Sequence, residues 1–151
     1  MTSSANTDST GVDVQSAIAG VIAVNDSAVS ATAGNEARAI RTDAVGFVDI
    51  GVTGSSLTSS GLALSQALAV FNATAATVML WDSNVAASSA AGAGTGMVFN
   101  AVEAIDLSLR NTAVTATGAG ITAGVIADGF DVLGIALADG SSIAVDSAGD
   151  A

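Results

Sequence analysis

The chain has 151 residues, half of them hydrophobic but only 3% aromatic, and fourteen acids against three arginines give a net charge of −11. It contains no His, Cys, Lys, Pro or Tyr. Those absences exclude a Ser-His-Asp triad, a cysteine nucleophile, a zinc site of the nitrogen/sulfur kind, a Schiff-base lysine and a P-loop lysine. An acidic surface with Arg38, Arg41 and Arg110 dispersed along it also argues against binding phosphate backbones. The expectation is a protein that is not an enzyme, with no cofactor, metal, nucleic acid or small-molecule substrate. No disulfide framework is possible, and the start, MTSSANTDST, lacks the basic and apolar regions of a signal peptide.

Residues 1–11 form a Ser/Thr/Asn-rich stretch expected to be a flexible tail. From there Val14, Ile18, Val21, Ile22, Asn25 and Val29 fall at helical steps, with Asp13 at the positive end of the dipole. Gly34 and Asn35 break that helix, and a second one runs from Asn35 to Val48, although GFVDIGVTG (Gly46 to Gly54) also fits a short strand. Ser55 and Ser56 are caps for a long helix over Leu57 to Trp81. It lies within thirty-two consecutive uncharged residues, Ile50 to Trp81. Leu57, Leu64, Leu68, Phe71, Val78 and Trp81 make its large apolar face, and Ser65, Gln66, Ala69, Asn72, Ala73 and Ala76 its small one.

A further helix covers Met97 to Asn111, where Glu103 or Asp106 can pair with Arg110 at helical spacing. A final helix covers Ile121 to Ala138. Residues 139–151 read as an acidic tail, loose or a short edge strand. No fixed internal repeat of solenoid length is apparent, which argues against a solenoid. The fold class expected is therefore all-α: several Ala/Gly-rich helices packed closely in one assembly domain over residues 12–138.

Gly92/Gly96 and Gly120/Gly124 provide the small-xxx-small spacing that lets helix backbones approach. The bland reading is ordinary loop glycine, and neither pair matches a dinucleotide fingerprint. The uncharged run is long enough for a membrane span, but Ser65, Gln66, Asn72, Thr74 and Thr77 interrupt it and no basic residue flanks it. Burial between subunits fits it better. Asp128, Asp131, Asp139, Asp146 and Asp150 lack the ligand spacing of an EF-hand and read as solvated charge. Two glycosylation sequons, at Asn25 and Asn72, recur by chance in such sequences.

Several pieces, taken in order, resemble the RebB family, the small proteins that build R-bodies. NDSAVS (Asn25 to Ser30) is similar to an early family element. LTSSGLALSQALAVFNAT (Leu57 to Thr74) shares the SQAL core of the family's central helix. NVAASSAAGAGTGMVFNAVEAIDLS (Asn84 to Ser108) keeps an Asn-Val, a small-residue stretch and an Ile-Asp. The family's proline and glutamine-rich centre have no counterpart, nor does the chain beyond Asn111. The resemblance implies a subunit of a coiled protein ribbon, held as a cytoplasmic inclusion, that extends at acid pH and disrupts membranes. Its partners would be copies of itself and homologous subunits, with a membrane as target.

The first reading is thus a self-assembling structural subunit whose interface includes Leu57, Leu64, Leu68, Phe71, Val78, Trp81, Gly92, Gly96, Gly120 and Gly124. The alternative is a β-rich extracellular fibre or adhesin module, in which GFVDIGVTG and SSIAVDS are strands; a third is a small membrane-active protein. In a polymer, repulsion among repeated carboxylates acts at neutral pH and fades as they protonate. Glu103, Asp106, Asp128 and Asp131 interrupt apolar stripes and are the candidate pH-sensing groups. Replacing all four by Asn and Gln is expected to abolish any acid-induced change of shape seen by electron microscopy; a transition surviving at the same pH removes them from that role.

Overall fold

In the computed structural model, which describes residues 1–16, 18–44 and 46–147, the chain is built of β-strands; among the described residues there is no helix. The first coil holds β1 (Thr2–Ala5), β2 (Asp8–Ser16) and β3 (Ala19–Asn25). The second holds β4 (Ala28–Ala33), β5 (Glu36–Ala44) and β6 (Phe47–Thr53), and the third β7 (Ser56–Gly61), β8 (Leu64–Phe71) and β9 (Ala75–Trp81). The fourth holds β10 (Asn84–Ser89), β11 (Ala93–Asn100) and β12 (Ala104–Arg110). The fifth holds β13 (Ala113–Gly118), β14 (Ala123–Asp128) and β15 (Val132–Ala138), and β16 (Ser142–Ser147) opens a sixth.

Each strand pairs in parallel with its counterparts one coil away. Sheet I runs β1-β4-β7-β10-β13-β16, sheet II β2-β5-β8-β11-β14 and sheet III β3-β6-β9-β12-β15. The architecture is a β-solenoid of five coils. Its register advances by a constant step where Ala19 stands opposite Phe47 and Phe47 opposite Ala75, and by one residue more where Ala75 meets Ala104.

Side chains alternate between the lumen and the outside, in strict turn along β3 and with the same inward positions along β4. Because every coil repeats the same path, inward residues stack in columns one strand spacing apart, about 4.8 Å. Ile22, Ile50, Val78 and Leu107 form one such column in sheet III. Ile40, Leu68 and Met97 form another in sheet II, and Val29, Leu57, Val85 and Val114 a third in sheet I. All are nearly or fully buried, and Phe99 lies in the core of the fourth coil at 0% exposure.

Where sheets I and II converge, the space is too small for large side chains. A Cβ on Gly96 would lie 2.5 Å from Val114 Cγ1 and 2.6 Å from Gly124 O. Ala31, Ala33 and Ala37 make a separate small-residue cluster in the same wedge. This geometry accounts for the small residues of the wedge: there the close approach is of sheet on sheet inside one chain, not of helix on helix.

The all-α expectation is therefore overturned, with all five helices and the rejection of a repeat. The stripe from Val14 to Val29 crosses three strands, and Val21 and Ile22 lie on opposite faces of β3 at 77% and 7% exposure. The Leu57 to Trp81 segment is β7, β8 and β9, so the stretch quoted for the R-body family's central helix is two strands and the turn between them. The helix over Met97 to Asn111 is the second half of β11 with β12, and that over Ile121 to Ala138 contains β14 and β15. The false helical spacing has a physical source. In β5 both Ala39 and Ile40 are buried, so the two-residue alternation slips by one, and the turns insert a few further residues. Steps of three, four and seven result from strands and corners combined.

GFVDIGVTG and SSIAVDS, the segments of the β alternative, are β6 and β16 with their flanks. The expected tail at residues 1–11 contains β1 and the start of β2, and of the acidic tail at 139–151 the last four residues lie outside the described ones.

Thr42 is fully buried and its Oγ1 has no hydrogen-bond partner. One coil further on, its place is taken by Val70. Thr42→Val keeps the shape and removes the unmet hydroxyl, so it should stabilise the fold by about 1 kcal/mol; an unchanged or lower urea midpoint would contradict the burial described.

Candidate functional site

The most regular polar feature is the corner between sheets III and I. Positive φ recurs there at Asp26 (46°), Gly54 (58°), Asp82 (51°), Asn111 (45°) and Asp139 (51°). Left-handed backbone is tolerated by Gly, Asn and Asp, the three residue types used. A hydroxyl residue follows in every coil: Ser27, Ser55, Ser83, Thr112 and, after one extra residue, Ser141.

Those hydroxyls form a directional ladder. Ser27 N–H donates to Ser55 Oγ (3.0 Å), Ser55 N–H to Ser83 Oγ (3.3 Å), Ser83 N–H to Thr112 Oγ1 (3.3 Å) and Thr112 N–H to Ser141 Oγ (3.3 Å). Each hydroxyl then donates to a main-chain carbonyl of its own turn, as Ser83 Oγ does to Trp81 O at 2.6 Å. Ser55, Ser83 and Thr112 are all buried. The ladder thus satisfies amides that turn away from the sheets at each corner. Outside it runs a groove of about 630 Å³ along Asp26, Gly54, Asp82 and Asn111, where Asn111 Nδ2 donates to Asp82 Oδ1 at 2.8 Å.

The arginines are committed to ties between and within coils. Arg41 bridges Asp13 (3.3 Å) and Asp43 (3.0 Å) and lies 5.6 Å from the Phe71 ring centroid. Arg38 holds Glu36 (2.9 Å) and Gln66 Oε1 (2.7 Å). Arg110 pairs with Asp139 at 2.8 Å, one coil away, rather than with Glu103 or Asp106 as helical spacing implied. The outer face of sheet I is almost uncharged: Ser30, Thr58, Ala86, Thr115 and Ala144 make one column, and Thr32, Ser60, Ser88, Thr117 and Asp146 its neighbour.

The candidate assembly residues do not share a surface. Leu57, Leu68 and Val78 line the lumen, Leu64 and Phe71 are half-buried at the ends of β8, and Trp81 is exposed at the end of β9. Gly92 and Gly120 stack at one corner, where Gly120 N–H donates to Gly92 O (3.0 Å), while Gly96 and Gly124 face sheet I. Among the acids, Glu103 and Asp131 share a corner, with Asp131 N–H donating to Glu103 O (2.8 Å). Asp106 stands on the outer face of sheet III and Asp128 ends β14; all four are exposed. Among the described residues no group of three or more carboxylates is placed to hold a metal, and no helix is long and apolar enough to cross a membrane.

Sequence reasoning missed the hydroxyl ladder, although its signal is present: Asp26-Ser27, Gly54-Ser55, Asp82-Ser83 and Asn111-Thr112 recur at the coil period. Comparison with family models, curated proteins and solved structures found no match, and nothing in those comparisons bears on an R-body family.

Ser83→Ala removes the acceptor for Ser55 N–H in a buried corner and should cost about 1–3 kcal/mol in chemical denaturation. Ser27→Ala, at the exposed start of the ladder, should stay within about 0.5 kcal/mol; equal effects at both would show that the ladder carries no stability.

Proposed function

We propose that this chain is a non-catalytic structural module, a segment of a β-solenoid fibre or adhesin stalk displayed outside the cell. The observation that supports this reading most is the unbroken stacking of lumen columns through every coil. Such a body is held by main-chain ladders on three faces around its axis, and its stability grows with each added repeat. Side chains that elsewhere do chemistry are engaged in holding it: the arginines in ion pairs, and Ser55, Ser83 and Thr112 in the corner ladder. The Ser/Thr-rich, lysine-free and cysteine-free composition fits an extracellular fibre. An R-body-like ribbon, as the resemblance implies it, needs a helix where this chain has β7 and β8.

Immunogold electron microscopy on cells that produce the chain tests the reading. Label along filaments or stalks at the cell surface is expected. Label confined to cytoplasmic inclusions would overturn it.

A further inference from the structure

We infer that the outer face of sheet I binds ice, the ordered surface of crystalline water. This activity is additional to the structural role proposed above and does not rest on it.

Among the described residues, the charges stand mainly elsewhere. Sheet II carries Arg38, Arg41 and Asp43 on its outer face, and sheet III carries Asp49, Asp106 and Arg110. The strands β4, β7, β10 and β13 contain no charged residue, and sheet I meets a carboxylate, Asp146, only in β16. The difference matters to water. A charge orients the surrounding shell radially about itself, whereas small methyl and hydroxyl groups leave shell water to hydrogen-bond to itself.

The side chains of this face form a lattice. The columns through Ser30 and Thr32 are joined by a third through Ala28, and all three cross β4, β7, β10 and β13 without a slip of register. Neighbours within a column are one strand spacing apart, about 4.8 Å, and the columns lie two residues apart, about 6.7 Å. These two lengths lie close to the oxygen repeats of the prism plane of hexagonal ice. Over three columns and four rows the mismatch stays below half a repeat, so the whole patch can seat at once.

The hydroxyls are free to meet that surface. Those of Ser30, Thr32, Thr58, Ser60, Ser88 and Thr117 make no hydrogen bond to any described residue, and Thr115 Oγ1 reaches Val85 O only at 3.5 Å. The corner hydroxyls of Ser55, Ser83 and Thr112 are, in contrast, all spent on main-chain partners. Open hydroxyls set at the lattice repeat can take the place of surface waters and hold the first layer in register.

A second copy of the chain fits the face less well. The uncharged strands cover about 19 Å by 20 Å, so two copies laid face to face would bury about 800 Å² in all, the scale of a packing contact rather than of a stable dimer. The face also lacks the aromatic and arginine anchors on which protein interfaces depend. Ice needs no such anchor, because its surface repeats the spacing of the face itself.

Slow growth of ice from a solution of the full chain, with the protein measured in the ice and in the remaining liquid, tests the proposal. Osmometry on single ice crystals accompanies it. Expected are enrichment in the ice fraction, faceted crystals and a freezing point held below the melting point. Ser88→Lys, at an exposed position in the middle of the lattice, should lose all three with an unchanged circular dichroism spectrum. Met79→Lys adds the same charge on the outer face of sheet III and should keep them. Exclusion of the chain from ice, or a folded Ser88→Lys variant that stays enriched, overturns ice binding. A dimer in liquid water that Ser88→Lys dissolves would also overturn it, by giving the face to a second copy. The fibre-module reading stands or falls separately, by the labelling experiment.

Discussion

Everything in this fold depends on one requirement: main-chain groups of each coil must meet those of the coils beside it, a full circuit of the chain away. The strands satisfy it on the faces. At the corners, where the backbone turns out of the sheets, hydroxyl side chains satisfy it instead. Side-chain identity is then constrained mainly by volume. A column accepts Ile, Val, Leu or Met where the lumen is wide and small residues, Gly, Ala or Ser, where sheets I and II converge. The almost neutral interior and the sparse, fully engaged arginines follow from the same geometry, since a column of like charges one strand spacing apart would work against stacking.

The uncharged stretch Ile50 to Trp81 finds its explanation here. It supplies β7, β8 and β9, the third coil, with neighbours above and below. Even small and polar side chains of β8 are covered: Ala69 is 0% and Gln66 8% exposed. A middle coil is buried more thoroughly than either end; the second and fourth coils, equally flanked, carry their charges outside the lumen, as at Arg41 and Asp106.

What was legible in the sequence was the shortage of reactive side chains, the close packing of small residues and the strand character of GFVDIGVTG and SSIAVDS. The fold class was not. Ala, Ser and Gly carry little strand propensity by themselves, and in this chain they occupy strands because neighbouring coils enclose them. The coil period was present in the Asp-Ser, Gly-Ser, Asp-Ser, Asn-Thr series but hidden by tolerance of size rather than identity. Leu57, Val85 and Val114 are equivalent in space without being alike in sequence. The candidate surfaces failed for the same reason: a face drawn on a helix wheel joined residues that the coil sends to the lumen, the outside and the corners.

The uneven length of the coils carries a wider consequence. An extra residue enters the turns Ala90–Gly92 and Asp139–Ser141, where three residues stand between strands whose counterparts in earlier coils are joined by two, and the columns on either side keep their alignment. Coil length is thus fixed along the faces and free at the edges of the prism. Such edges are where longer excursions of chain can be grafted without disturbing the stack, so a scaffold that is chemically quiet along its length can acquire new surfaces one corner at a time.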